Sequence, residues 1–386
     1  MRILTLIHEY PPVGGGGGRV AQDICRGLVK RGHAVQVLTA HWGDLPEKED
    51  QDGVLIYRLR SLRRLPYKAG LVAMLGFVLA SFWVGLRQVH RWKPDVIHVH
   101  FAVPAGAAAW LLSRLAGVPY VLTAHLGDVP GGVPEKTSGW FKWLYPFTPP
   151  IWKNAAQVTA VSDFTRGLAL AHYPVKIQVI PNGVNVDELD PGVIQVNTPP
   201  SIVFAGRFVA QKNPLQVVHT LAKLKDLPWK CVMLGDGVLR HDLEAEIAAQ
   251  GLQERFELPG WVEPGQVIAR YAKSDILLLP SLSEGFPVVG VQAMGMGLAL
   301  VLSQIGGCVD LVISGENGFL VDLQEAGGFE KALRALLSDR SLLLKCRLAS
   351  RRMAPRFNLE QVITAYEASL LSASQTARGN RGGVRL

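Results

Sequence analysis

SLSEGFPVVGVQAMGMG, residues Ser281 to Gly297, follows a four-residue apolar run, Ile276 to Leu279, with the length and composition of a buried parallel strand. Gly285 and Pro287 then lead into an apolar helix, which sets the Glu284 carboxylate at a strand-to-helix turn. Doubly wound sheets bind their ligands at such turns. From Pro287 to Leu302 the only polar side chain is Gln292. A buried carboxamide needs partners, so Gln292 either bonds to backbone or faces a cleft.

Outward from this stretch the chain alternates strand and helix. Ile3 to Ile7, Ala34 to Leu38, Val54 to Leu59, Val96 to Val99 and Tyr120 to Thr123 read as strands of a first half. Between them, Val20 to Arg31 and Ala105 to Ala116 read as helices, and Val175 to Pro181 closes the half. Ser201 to Ala205, Lys230 to Leu234, Phe256 to Leu258 and Asp275 to Leu279 begin a second series, separated by helices such as Pro214 to Leu224 and Leu239 to Ala249. Such alternation implies parallel sheets covered on both faces, and no short repeat argues for a solenoid. At 386 residues the chain divides into two α/β domains of similar size, 1–190 and 191–371, with the polar stretch Asn185 to Pro200 as linker. The Gly, Arg, Ser and Asn of residues 372–386 are expected to be a disordered tail.

Charged residues are 19% and hydrophobic ones 48%, which excludes a disordered protein. The net charge is +8, and residues 1–190 carry 20 Lys and Arg against 14 Asp and Glu, so the excess is mostly N-terminal. Arg58, Arg60, Arg63, Arg64 and Lys68 precede an uncharged run from Ala69 to Leu86, and Arg87, Arg91 and Lys93 follow it. That pattern suggests a peripheral membrane surface more than nucleic acid, with a solvated basic loop as the alternative. The run barely reaches the length of a membrane span and is interrupted by Gly76, Ser81 and Gly85, so a helix on a sheet or in the bilayer interface is expected. Cys25, Cys231, Cys308 and Cys346 are scattered without CxxC or metal spacing. With a strand-like MRILTLI start that lacks a signal-peptide cleavage pattern, this points to a cytoplasmic protein.

Glu284 and Gln292, together with GRFVAQK from Gly206 to Lys212, resemble the sugar-nucleotide site of the retaining glycosyltransferases of family 4. That family has the GT-B fold, two Rossmann-like domains facing each other across a cleft. TAHLGD at Thr123, VSDFTR at Val161, VIPNGVN at Val179, GDG at Gly235, PGWV at Pro259, GGCVD at Gly306 and ENGFLV at Glu316 fall in the family's order, so the resemblance covers nearly the whole chain. It implies a nucleoside-diphosphate sugar in the C-terminal domain, an unidentified acceptor in the N-terminal one, and no cofactor. Carried over by position, His125, Arg207, Lys212 and Glu284 are the implied catalytic residues. The implied donor-binding residues are Gly15, Gly16, Gly206, Gly285, Phe286, Pro287, Val288 and Gln292. The family's second motif glutamate is replaced here by Gln292, which keeps one acceptor oxygen but loses the charge toward the nucleoside ribose.

The residues also speak for themselves. A diphosphate leaving group needs fixed cations, helix N-termini or a metal, and Arg207 and Lys212 stand five residues apart between a strand and the helix begun by Asn213 and Pro214. The glycine run Gly14 to Gly18 lets backbone approach a phosphate or sugar closely, or is merely a flexible loop. Asp50, Gln51 and Asp52 form a DxD triplet, but within a charge run that reads as a solvated loop. His98 and His100 share a strand face with no third ligand placed, so no metal site is expected. A sugar-nucleotide epimerase and a non-catalytic nucleotide-binding relative are the alternative functions.

Overall fold

The computed structural model describes residues 1–63, 65, 69–133 and 143–382, with side chains described as far as residue 376. The chain forms two compact units, Met1–Asn182 together with the segment from Leu359 onward, and Gly183–Asn358.

In unit 1 the elements run β1 (Arg2–Leu6), α1 (Gly16–Lys30), β2 (Ala34–Ala40), β3 (Lys48–Gln51), β4 (Val54–Leu59), α2 (Leu71–Trp92), β5 (Val96–His100), α3 (Ala107–Ala116), β6 (Tyr120–Ala124), α4 (Pro149–Lys153), β7 (Gln157–Ala160), α5 (Asp163–Leu170) and β8 (Ile177–Val179). The sheet order is β3-β4-β2-β1-β5-β6-β7-β8, parallel except where β3 runs against β4. Strands β5 and β6 are buried at every position, as a sheet covered on both faces requires.

Unit 2 runs β9 (Ser201–Ala205), α6 (Pro214–Ala222), β10 (Lys230–Leu234), α7 (Arg240–Ala249), β11 (Phe256–Gly260), α8 (Pro264–Tyr271), β12 (Ile276–Leu279), α9 (Val288–Gly295), β13 (Ala299–Ser303), β14 (Gly318–Val321), α10 (Gly328–Ser338) and α11 (Arg340–Met353). Its sheet is wholly parallel, in the order β11-β10-β9-β12-β13-β14. Two doubly wound Rossmann-like units are the GT-B class of α/β fold that the resemblance implies.

Four readings of the sequence are corrected. The division falls at Asn182, before the expected boundary at 190, and the chain after Asn358 returns to unit 1. Residues 372–382 of the expected disordered tail instead continue α12 (Leu359–Gly382), and residues 383–386 lie outside the described residues. Ile363, Tyr366, Leu370 and Ala373 bury one face of that helix, and Arg31 clasps it through Glu367 at 2.8 Å and Glu360 at 2.9 Å. The DxD region is an edge strand, β3, whose Glu49 pairs with the buried Arg58 and whose Gln51 bonds Gln22 at 3.2 Å. Asp50 accepts from the Gly53 amide, and Asp52 pairs with Arg26 at 2.9 Å. The basic run before α2 is not a solvated loop either: Arg58 and Arg63 are internal, and Arg63 donates to the His8 and Leu65 carbonyls. Arg64 and Lys68 lie outside the described residues.

Unit 2 is pinned at the opposite end of its sheet from the ligand edge by Asp275, which is wholly buried and paired with Arg347. Asp275 also accepts from the Ser201 amide at 2.7 Å and from Asn197, while Arg347 donates to the Gly297 carbonyl. Removing one partner of such a pair strands the other. Asp275→Ala is therefore expected to destabilise unit 2 by about 3–5 kcal/mol, read as a lowered urea midpoint; an unchanged midpoint would refute this role.

Candidate active site

In unit 2 the chain lays down β9, β10 and β11 in one direction and then starts again with β12 on the other side of β9. At such a reversal the loops leaving the two central strands diverge and open a crevice at their C-terminal ends. The loop after β9 carries Gly206, Arg207 and Lys212; the loop after β12 carries Glu284 to Pro287. Of these predicted residues the structure brings Lys212 and Glu284 into contact. Lys212 forms an ion pair with Glu284 Oε1, and the Ser281 hydroxyl donates to the same oxygen at 2.7 Å. Backbone ties the loops as well, the Leu282 amide donating to the Gln211 carbonyl at 2.8 Å and Gln211 Nε2 to the Ser283 carbonyl at 3.0 Å. Lys212 and Ser281 both reach Oε1, and no described residue donates to Glu284 Oε2.

A third loop closes against this one. A Cβ at Gly306, whose φ is +47°, would stand 1.8 Å from the Glu284 carbonyl oxygen, and one at Gly307 would stand 2.2 Å from that of Gly285. Only glycine permits that approach, and the Gly307 amide uses it to donate to the Glu284 carbonyl at 3.2 Å.

The remaining unit 2 residues separate by environment. Arg207 is half-buried and makes no ion pair or side-chain hydrogen bond among the described residues. Gln292, in α9, is likewise half-buried, and its carboxamide makes no hydrogen bond among the described residues. Gly206, Gly285 and Val288 are partly exposed, while Pro287 and Phe286 are buried, Phe286 against Phe357 at 5.3 Å between centroids. Phe286 therefore packs the loop from behind.

Unit 1 has its own reversal, between β1 and β5. His8 follows β1, Phe101 follows β5 and His125 follows β6; the Phe101 ring lies 5.1 Å from His8 and 4.3 Å from His125. Phe101 holds a φ of +70°, a strained conformation for an aromatic residue and one that clusters at functional sites. Gly15 and Gly16 are exposed, with space around them, but the expected five-glycine loop is only half loop, because α1 begins at Gly16. A Cβ at Gly17 would meet the Phe101 ring at 2.7 Å.

His125 is held on both sides. Its amide donates to Asp128 Oδ1 at 2.9 Å, Asp128 Oδ2 accepts from the Ala102 amide at 2.6 Å, and its Nε2 lies 3.2 Å from His100 Nδ1. His98, next on that face of β5, bonds Thr123 at 2.9 Å and stacks toward Tyr366 of α12. Burial disfavours the charged form of all three imidazoles, pushing His98 down to about 3, His125 to about 4 and His100 well below its ordinary value. His98 and His100 are thus neutral packing partners of His125. By sequence, Ser281 and Asp128 have no assigned role, although each lies in a quoted motif, and His100 figures only as a metal ligand, packing or cleft residue. Their role appears only when the loops meet.

Residues 14–188 match the family described as Glycosyltransferase Family 4, and residues 187–353 match Glycosyl transferases group 1. An uncharacterised glycosyltransferase of Methanocaldococcus jannaschii is 26% identical over 88% of this chain and 90% of its own length. The UDP-Gal:alpha-D-GlcNAc-diphosphoundecaprenol alpha-1,3-galactosyltransferase of Escherichia coli is 28% identical over 69% of this chain and 72% of its own. Among solved structures, Anabaena HepE in complex with UDP-glucose superposes with a TM-score of 0.77 at 19% identity, over 96% of this chain and all (100%) of that one.

The three depressed histidines fix the sign of a pH effect. In the unfolded chain each takes up a proton below about pH 6.5, whereas in the fold each stays neutral, so their contribution to stability is complete above that pH and lost below it. Urea unfolding at pH 7, 6 and 5 is expected to show unit 1 weakening by up to about 1.4 kcal/mol per pH unit for each histidine. A stability that stays level from pH 7 to 5 would contradict the burial of neutral imidazoles.

Proposed function

The chain belongs to glycosyltransferase family 4 and is a glycosyltransferase, and we propose that it moves a sugar from a nucleoside-diphosphate donor to an acceptor hydroxyl with retention at the anomeric carbon. The observation that carries the donor class is the meeting of Lys212, Ser281 and Glu284 at the β9/β12 reversal, with Arg207 in the same β9 loop making no ion pair among the described residues. A cation without a counter-ion at the open edge of a parallel sheet suits a diphosphate. The UDP-glucose complex of HepE supports the same donor class.

In this reading the glycosidic carbon–oxygen bond to the diphosphate breaks while the acceptor oxygen bonds to the same face of that carbon, and the departing phosphate takes the acceptor's proton. Arg207, Lys212 and the first amides of α9 stabilise the charge that grows on the leaving group. Fixed cations thereby take the place of a metal. Glu284, oriented through Oε1, presents Oε2 to the sugar hydroxyls, and Gln292 accepts from the nucleoside ribose. No protein nucleophile takes part. Of acceptor classes, a lipid-linked one is favoured, as the E. coli relative's printed substrate is a diphosphoundecaprenol. An epimerase would turn a donor over without an acceptor, so the decisive assay is nucleoside diphosphate release that depends on added membrane lipid extract.

In that assay, run with chelator present, Arg207→Ala and Lys212→Ala are each expected to lower turnover by roughly 10²-fold or more. Unchanged turnover in both would remove them from the site, and complete loss in chelator reversed by Mn²⁺ would give the phosphate to a metal.

Gln292→Glu separates a ribose contact from a core position. At an open edge the carboxylate gains a charge-assisted bond and the variant stays folded with equal or tighter donor binding. In a dry core it would be an unpaired charge and would unfold the unit. Thermal unfolding and nucleotide titration of the one variant decide the point.

A further inference from the structure

As far as Leu86, helix α2 is apolar all the way round, yet only 28% of its most apolar window is buried. A helix with no polar face belongs in a protein core or in lipid. One face of α2 meets the first condition: Ala73, Phe77, Ser81, Gly85 and Val89 are buried, and a Cβ at Gly85 would stand 2.6 Å from Leu112. On the opposite face Val72, Leu75, Leu79 and Trp83 are each more than half exposed. They form a stripe about 16 Å long, and Arg87, His90, Arg91 and Lys93 are exposed at its C-terminal end.

We infer that this face of α2 is a docking surface for an anionic lipid bilayer, along which the helix lies without crossing it. Charge identifies the occupant. From Gly53 to Pro94 the chain contains eight Lys or Arg and no Asp or Glu. Arg58 and Arg63 are used internally and Arg60 pairs with Glu47, but Arg87, Arg91 and Lys93 point outward, and α2 offers no carboxylate to pair with them. A second copy of α2 would set those cations against a face with no acid to receive them. Anionic headgroups would receive all of them, with the tryptophan between the aliphatic stretch and the arginines, at the depth where such rings settle. Crossing is a poorer fit, because it would strip Phe77 and Ser81 from their packing in unit 1. The inference rests on α2 alone and is independent of the donor and of the reaction.

The test is co-sedimentation of the full chain with vesicles of phosphatidylcholine alone and of phosphatidylcholine with about 30% phosphatidylglycerol. The wild type is expected to bind the anionic vesicles preferentially and to be released by salt. Leu79→Gln with Trp83→Gln should weaken binding about tenfold or more. Arg87→Ala with Arg91→Ala should cost about fivefold per residue and erase the preference for phosphatidylglycerol. These positions are exposed, so an unchanged thermal midpoint is expected and confirms that the variants fold. Binding that both variants retain at the wild-type level, or no binding of the wild type to either vesicle, overturns the inference. So does a wild-type dimer in sedimentation equilibrium that Leu79→Gln with Trp83→Gln dissolves, an outcome that assigns the face to a second copy.

Discussion

A carboxylate drawn almost wholly out of water must find donors within the protein, and Glu284 finds two, the Lys212 ammonium and the Ser281 hydroxyl, on one of its oxygens. Lys212 belongs to the loop after β9 and Ser281 to the loop after β12, so the bonds that satisfy Glu284 also join the two loops across the strand reversal. The close seating of Gly306 and Gly307 on the backbone of Glu284 and Gly285 removes the remaining freedom. What results is a carboxylate anchored through one oxygen, with no described donor on the other. Arg207 follows the same strand, β9, and has no counter-ion among the described residues.

Unit 1 uses other means at its own reversal. Around that reversal His98, His100 and His125 stay neutral because burial disfavours the protonated form. The C-terminal helix is part of that arrangement, since Tyr366 of α12 lies against His98 in a sheet laid down by the first half of the chain. The last helix thus supports a cluster whose other members precede residue 130.

Helix α2 shows how one composition can meet two demands. Its small residues, Ala73, Ser81 and Gly85, let it sit close on unit 1, and Gly76 does the same against the Ser61 carbonyl. Leu75, Leu79 and Trp83 lie on the other face, where each is more than half exposed. Packing on the unit therefore accounts for one half of the helix's apolarity.

Periodicity and turn chemistry sufficed to place most strands, including β4, β9 and β10 residue for residue, because a strand buried on both faces announces itself as a short β-branched or leucine-rich run. The same local signals put Arg207, Lys212 and Glu284 at strand ends, since a strand-to-helix turn is written in a few consecutive residues. Local sequence was silent where the decisive partner lay far along the chain. β3 is a strand because Glu49 faces Arg58 and Gln51 reaches Gln22, although its composition is that of a loop. α12 stays helical through residues that look like a tail because Ile363, Tyr366 and Leu370 meet unit 1 more than two hundred residues upstream. The inward use of Arg58 and Arg63 and the shared oxygen of Glu284 were likewise decided by tertiary structure. Sequence determines which groups stand at the end of each element, and only the packing of elements determines which of those groups find a protein partner and which are left for a ligand.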